Sequence, residues 1–301
     1  MKPSFFLFII ATLLAVSAIA QKPLTLTPGV IDGFSNPESI CQSGSKLYVA
    51  SINGQGKHGF ISEADLTTNK ISALHLIPDT VFNSNTPMGL LVVQDMLYVT
   101  NYNHVFGIQL KTKQLVFQAA VPGATRLNDL VYRKGMLLVS ETNGGNIYEI
   151  DLATKAVQPL ITNPDDIQKL SGVNGLVLDM KKDVLYATAN KDNRSPNSIL
   201  AIEMKTSKLT VLYQQTLKGS FFDGLTIRHR QLLVTDWAHK IYTLPLFCAP
   251  VRSPETLHVK ALSNNLDNWD GPPDLIISAD DRYYIIPLFQ SGKVVIEKID
   301  R

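Results

Sequence analysis

A two-part pattern recurs six times along this chain of 301 residues. The first part reads Pro37-Glu38-Ser39-Ile40, Pro87-Met88-Gly89-Leu90, Leu127-Asn128-Asp129-Leu130, Val173-Asn174-Gly175-Leu176, Phe222-Asp223-Gly224-Leu225 and Pro273-Asp274-Leu275-Ile276. Its second positions lie 50, 40, 46, 49 and 51 residues apart. The second part follows each time, as Leu47-Tyr48-Val49, Leu97-Tyr98-Val99, Leu137-Leu138-Val139, Leu185-Tyr186-Ala187, Leu232-Leu233-Val234 and Tyr283-Tyr284-Ile285. The offset between the two parts is 10 residues in five units and 12 in the fourth. There Met180-Lys181-Lys182-Asp183 reads as a longer hairpin loop.

Apolar runs of strand character come next: Val105–Leu110, Asn146–Leu152, Ser198–Met204, Lys240–Leu244 and Lys293–Ile299. Turn residues then precede weaker fourth strands such as Gln114–Phe117 and Leu209–Tyr213. Short strands with turn signals at this spacing indicate antiparallel meanders. Four strands in about 40–50 residues is the size of a propeller blade. The expected fold is therefore all-β: a six-bladed β-propeller of four-stranded antiparallel blades, running from about Val30 to Ile299. A blade is too small to bury both faces alone, and a closed ring of blades buries them while removing most free sheet edges. Gly54-Gln55-Gly56-Lys57-His58-Gly59 matches G-x-G-x-x-G, but the strand-like Phe60–Ile61 follows instead of a helix. It reads as a hairpin turn and not as a dinucleotide site.

The second position of the first part varies in an informative way: Glu38, Met88, Asn128, Asn174, Asp223, Asp274. Equivalent positions in radially arranged blades converge on the axis. Carboxylate and amide oxygens are donors that hard cations prefer, and calcium takes six to eight of them. Glu38 and Asp223 would match a divalent charge, and Asn128 and Asn174 would add neutral oxygens. No histidine or cysteine falls here, which argues against zinc or copper. The alternative is that each residue satisfies a turn hydrogen bond, as Asn and Asp commonly do. Asn101, Glu141, Asp236 and Trp237, just past the second strands, are candidates for a pocket mouth or for hairpin-turn bonds.

At the N-terminus, Lys2 precedes an apolar run from Phe5 to Ala20 that ends Ala18-Ile19-Ala20. This is the layout of a cleaved signal peptide over residues 1–20, with a propeller domain over 21–301. The run is shorter than the roughly 20 residues that span a bilayer. Secretion or export to a periplasm is expected, without stable membrane insertion after cleavage. Cys41 and Cys248 read as buried thiols, although export permits a disulfide. The formal charge is +2 with no basic run, which leaves a nucleic-acid partner without support. The six histidines (His58, His75, His104, His229, His239 and His258) share no repeat position. Asn193-Arg194-Ser195 is a glycosylation sequon in a eukaryotic secretory pathway. A closed propeller needs no second copy, so a monomer is expected.

At the axial residues the chain resembles the SMP-30/gluconolactonase/lactonase group of six-bladed propellers, whose architecture paraoxonase and diisopropylfluorophosphatase share. The resemblance implies one calcium ion held by Glu38, Asn128, Asn174 and Asp223, which match in order, residue type and spacing. Arg126-Leu127-Asn128-Asp129 resembles the R-x-N-D-G signature of that group, departing at Leu130. Gly271-Pro272-Pro273-Asp274 resembles its last-blade motif. The resemblance implies a calcium-dependent hydrolase acting on a lactone or related ester, a small-molecule partner. Asp223 would be the catalytic base or nucleophile, and Arg126 and Asn128 would bind substrate. Asp129 is expected either to orient Asn128 or to make a turn hydrogen bond, Arg126 has a surface salt bridge as its alternative, and Asp274 is a weaker candidate near the ion. The alternatives are a non-catalytic NHL-like propeller that binds a ligand or protein, and strictosidine-synthase-like condensation.

Overall fold

The computed structural model describes residues 25–52, 58–77, 81, 86–190, 196–215, 219–237, 240–246, 255–256 and 270–300. The signal-like segment 1–20, Asn53–Lys57 with most of the glycine-rich run, Asn193-Arg194-Ser195, His239, Cys248 and His258 lie outside the described residues.

The protein is a six-bladed β-propeller with four antiparallel strands in each blade. Blade 1 comprises Pro37–Ser43, Lys46–Ser51, Phe60–Asp65 and Lys70–Ala73. Blade 2 comprises Leu90–Val93, Met96–Thr100, His104–Gln109 and Gln114–Ala120. Blade 3 comprises Leu127–Arg133, Met136–Glu141, Asn146–Asp151 and Val157–Pro159. Blade 4 comprises Val173–Asp179, Val184–Ala189, Asn197–Glu203 and Lys208–Gln215. Blade 5 comprises Phe222–Arg228, Gln231–Asp236, Lys240–Pro245 and Glu255–Thr256. Blade 6 takes Ile276–Ile277, Tyr283–Leu288 and Lys293–Lys298 from the end of the chain and Gly29–Asp32 from its beginning. That last pairing, Gly29↔Ile296 through Asp32↔Lys293, ties the first described strand to the last and closes the ring.

Six apolar clusters stand at the six blade–blade contacts. The second strand of each blade feeds two of them, because successive side chains leave a strand on opposite faces. Leu47 and Val49 face blade 6, whereas Tyr48 and Ala50 face blade 2. Leu97 and Val99 face blade 1, whereas Tyr98 faces blade 3. Both faces are buried, so these strands read as continuous apolar runs. The strands that flank the glycine-rich run pair antiparallel, with Ser51 opposite Phe60. Cys41 is a buried thiol in the cluster between blades 1 and 2, and burial pushes its pKa up.

Near the axis the blades are held by hydrogen bonds that recur from blade to blade. The Thr188 hydroxyl accepts from Gly175 N at 2.8 Å and donates to Asp223 O of the next blade at 2.7 Å. Thr100 likewise accepts from Gly89 N and donates to Asn128 O. Thr235 accepts from Gly224 N at 2.8 Å and reaches Pro273 O at 3.4 Å. The approach is close enough to require glycine. A Cβ on Gly224 would stand 2.6 Å from Asp274 Cα, and one on Gly175 would stand 3.1 Å from Gly224 Cα.

This geometry corrects the sixth repeat by one residue. Leu275 packs toward blade 5, as Ile40, Leu90, Leu130, Leu176 and Leu225 each pack toward the preceding blade. Gly224 N donates to Pro273 O at 2.9 Å, as Gly89 N donates to Asn128 O at 3.0 Å. The axial position of blade 6 is therefore Pro273. Asp274 is the counterpart of Asp129, one residue further along. A one-residue slip moves a side chain to the other face of its strand.

Farther out, Arg133 of blade 3 clasps Asp183 in the long hairpin loop of blade 4, with Nε and Nη2 each 2.7 Å from a carboxylate oxygen. The guanidinium lowers the Asp183 pKa to about 2. A depressed carboxylate pKa contributes stability above its ordinary value, which is lost as pH falls through the folded value. NMR titration should place the Asp183 carboxyl midpoint near 2 and show it rising toward the ordinary 3.8 in Arg133→Gln. Thr188→Val removes a fully buried hydroxyl that serves two blades. It should cost about 1–3 kcal/mol, read as a lower urea midpoint at unchanged slope. An unchanged midpoint would show the hydroxyl to be dispensable.

Candidate functional site

Each candidate donor sits on a local irregularity of the innermost strand. The inner-strand ladder shifts register between Pro37 and Ile40, Leu127 and Leu130, Val173 and Leu176, and Phe222 and Leu225. These are β-bulges, and they span Glu38, Asn128, Asn174 and Asp223. A bulge inserts an extra residue and re-aims its side chain. The ladders described for blades 2 and 6 begin at Leu90 and Ile276, beyond the axial Met88 and Pro273, and carry no bulge.

The four bulged residues are 4–6% exposed and gather around an axial cavity of about 20 Å³. That is room for one water-sized occupant. Glu38, Asn174 and Asp223 also form the floor of a larger cavity of about 540 Å³ above it. Buried polar atoms are normally paired. Here Glu38 Oε2 and Asn128 Nδ2 have no hydrogen-bond partner among the described residues. Amide oxygen and nitrogen are assigned from their bonding network. Asn128 can therefore present its oxygen at that point without losing a bond. Asp223 Oδ2 accepts from Trp237 Nε1.

The charge state points the same way. Burial raises Glu38 to about 7, Arg126 opposing and Asp274 reinforcing. Asp223 is driven well above its ordinary value by burial first and then by Glu38, against the Trp237 hydrogen bond. Buried carboxylates with so little positive charge nearby either hold protons or need a cation. Two carboxylates, two amides and two unpaired polar atoms around a space for one occupant fit a hard divalent ion. Among the described residues no three His, Cys, Asp or Glu side chains gather at metal-binding distance, so the amides are essential to any such site.

The other expected residues divide. Asp129 does not bond to Asn128. Its Oδ1 accepts from Leu130 N at 2.7 Å and its Oδ2 from Leu176 N at 2.6 Å, which ties blade 3 to blade 4. Burial, reinforced by Asp274, raises its pKa to about 8. Asp274 Oδ2 likewise accepts from Ile40 N at 3.0 Å and Ser39 Oγ at 3.2 Å, fastening blade 6 to blade 1. Both carboxylates border the axial cavity, yet each fastens a seam between neighbouring blades. Arg126 is exposed in the wall of the larger cavity and forms no ion pair among the described residues. Of the four pocket-mouth candidates, two of which (Glu141 and Asp236) are the last residues of their second strands, Trp237 lines the cavity. Asn101, Glu141 and Asp236 are buried and accept from backbone N–H groups. Glu141 Oε1 accepts from Arg126 N at 3.0 Å, and Asp236 Oδ1 from Phe221 N at 2.8 Å. They set the segments that carry Arg126 and Phe221. Ile52, Gly219, Phe221 and Phe289 complete the larger cavity; the sequence did not single them out, although Ile52 stands at the repeat position of Trp237 and Phe221 at that of Arg126.

No family model matches the chain, and no curated protein does so either. Solved structures do. Hydrazine synthase of Kuenenia stuttgartiensis aligns over 84% of this chain and 74% of its own, at 16% identity and a TM-score of 0.60. A nidogen/laminin complex aligns over 90% and 89%, at 13% identity and 0.59. The extracellular domain of a one component system from B. thetaiotaomicron aligns over 87% at 12% identity and 0.57, and this chain spans only 34% of its length. At such identities the likeness concerns the fold alone.

Asp274→Ala leaves the buried Ile40 amide without its partner and should cost about 1–3 kcal/mol. Chemical denaturation reads this directly, and wild-type stability would remove Asp274 from ring closure.

Proposed function

We propose that this protein is a divalent-cation-dependent hydrolase, with calcium the best-fitting ion, that opens a lactone or related ester at the axial site. The observation that carries this reading is the convergence of four oxygen-bearing side chains, each on its own bulge, around a one-occupant cavity that opens into a 540 Å³ pocket. The SMP-30/gluconolactonase/lactonase resemblance at the same four positions supports it.

Glu38, Asn128, Asn174 and Asp223 are the residues that would hold the ion. When bound, a divalent cation there supplies Lewis-acid polarisation of the scissile carbonyl. The chain's own groups do the rest. Asp223 accepts a proton from the attacking water, whose oxygen bonds to the carbonyl carbon. The acyl–oxygen bond then breaks and the leaving oxygen takes the proton. The Trp237 N–H holds one Asp223 oxygen and fixes the direction of the other. Arg126, set by Glu141, binds an anionic or hydroxylated part of the substrate. The apolar segment 1–20 supports an exported protein, and no helix among the described residues is long and apolar enough to cross a membrane.

Calorimetry with calcium should show one site in the wild type. Asp223→Ala should weaken it by more than the roughly 10–100-fold that losing an outer-sphere partner causes. Lactone and aryl-ester turnover on the same samples should need calcium and vanish in the variant. A folded wild type that binds no calcium would overturn the reading and leave a propeller that recognises a ligand by its surface.

A further inference from the structure

The larger cavity has a floor and a wall of opposite character. Polar groups occupy the floor, where Glu38, Asn174 and Asp223 meet the axial cavity. Among the described residues the wall is Ile52, Phe221, Trp237 and Phe289, with the backbone of Gly219 and the single cation Arg126. All four apolar side chains are half-buried. Most large apolar residues of the protein are buried between blades, so a cluster left open on one pocket is a surface prepared for contact.

The wall is also rigid. Trp237 packs its ring against Phe289, with centroids 5.0 Å apart at 60°. Beneath it is Gly271, where a Cβ would stand 2.9 Å from Trp237 Cε3 and 3.1 Å from Trp237 Cα. The Trp237 indole N–H is engaged by Asp223 and its backbone N–H donates to Phe221 O at 3.0 Å. Phe221 is fixed in turn by Asp236, whose carboxylate also accepts from Ser220 Oγ at 2.6 Å. Side chains locked by packing lose little freedom on binding an apolar group. A neighbouring cavity of about 330 Å³ shares Ile52 and Arg126 and adds Thr86, Met88, Tyr102, Leu127 and Asn143, a mixed lining unlike the aromatic wall.

We infer that the substrate is a lactone or ester with an apolar chain or ring, which lies on the Trp237–Phe221–Phe289 wall while its carbonyl faces the polar floor. A polyhydroxylated sugar lactone fits poorly. Arg126 can return a bond to one or two of its hydroxyls, but the others would be desolvated against Ile52, Phe221 and Phe289, and each unpaired polar group is costly. The inference rests on the hydrolase reading for the chemistry but not for the binding surface.

The test is a chain-length series. Hydrolysis of γ-lactones with alkyl tails from none to eight carbons is followed with calcium, beside glucono-δ-lactone. Binding of the matching non-hydrolysable γ-lactams is followed by Trp237 fluorescence in a Trp269→Phe background. The specificity constant and lactam affinity should each rise about fourfold per methylene over the first few carbons. Phe289→Ser should flatten both slopes. Ile52→Ser, in the same wall, serves as the second variant if Phe289→Ser does not fold. Hydrolysis with a flat chain dependence, or a preference for glucono-δ-lactone, would overturn the inference and leave the hydrolase standing. Chain-length-dependent lactam binding without hydrolysis would support the apolar site and overturn the hydrolase. Neither binding nor hydrolysis would overturn both.

Discussion

Everything in this molecule depends on blades packing face to face. A four-stranded sheet of this size has two apolar faces and no way to hide them alone. Placing six such sheets around an axis turns twelve faces into six shared clusters, one per contact. The strand Gly29–Asp32 completes the blade at the opposite end of the chain, so ring closure is made by hydrogen bonds between distant parts of the sequence. The Asp274 carboxylate reinforces that seam from the axis by holding Ile40 and Ser39.

Radial packing crowds the inner strands, and the crowding shapes the site. Where blades approach most closely, glycine replaces any side chain, and threonine hydroxyls bridge one blade to the next carbonyl. Four of the inner strands take a bulge at this point, which turns Glu38, Asn128, Asn174 and Asp223 toward the centre. Met88 and Pro273 fill the same position without a polar group. The polar cluster is thus confined to four blades, and its carboxylates are raised in pKa because the surrounding blades exclude water. The residues that support this arrangement lie outside it. Glu141 and Asp236 never reach the cavity, yet they set the backbone of Arg126 and Phe221 that do.

The repeat made the blade number, the strand order and four of the axial residues legible from the amino-acid sequence. The spacing of the two motifs is a direct consequence of one blade's length, and third strands such as Asn146–Asp151 and Lys240–Pro245 stand within a residue or two of where the apolar runs place them. Polar residues at an otherwise apolar repeat position are equally visible, since only an axis or a turn tolerates them. The tertiary structure alone decided what those residues touch. Asp129 and Asp274 read as site residues, but their oxygens belong to the seams between blades. Of the aromatic wall, Trp237 was legible as a candidate for a pocket mouth, whereas Phe221 and Phe289 were not, because only the closed ring brings the three side chains to one cavity. The register of the sixth blade was beyond reach for a physical reason. Tyr283 to Leu288 is buried at every position, so its sequence has no polar–apolar alternation to say which residue faces which neighbour. Only the contacts with blades 5 and 1 distinguish the two faces, and those contacts exist only once the ring has closed.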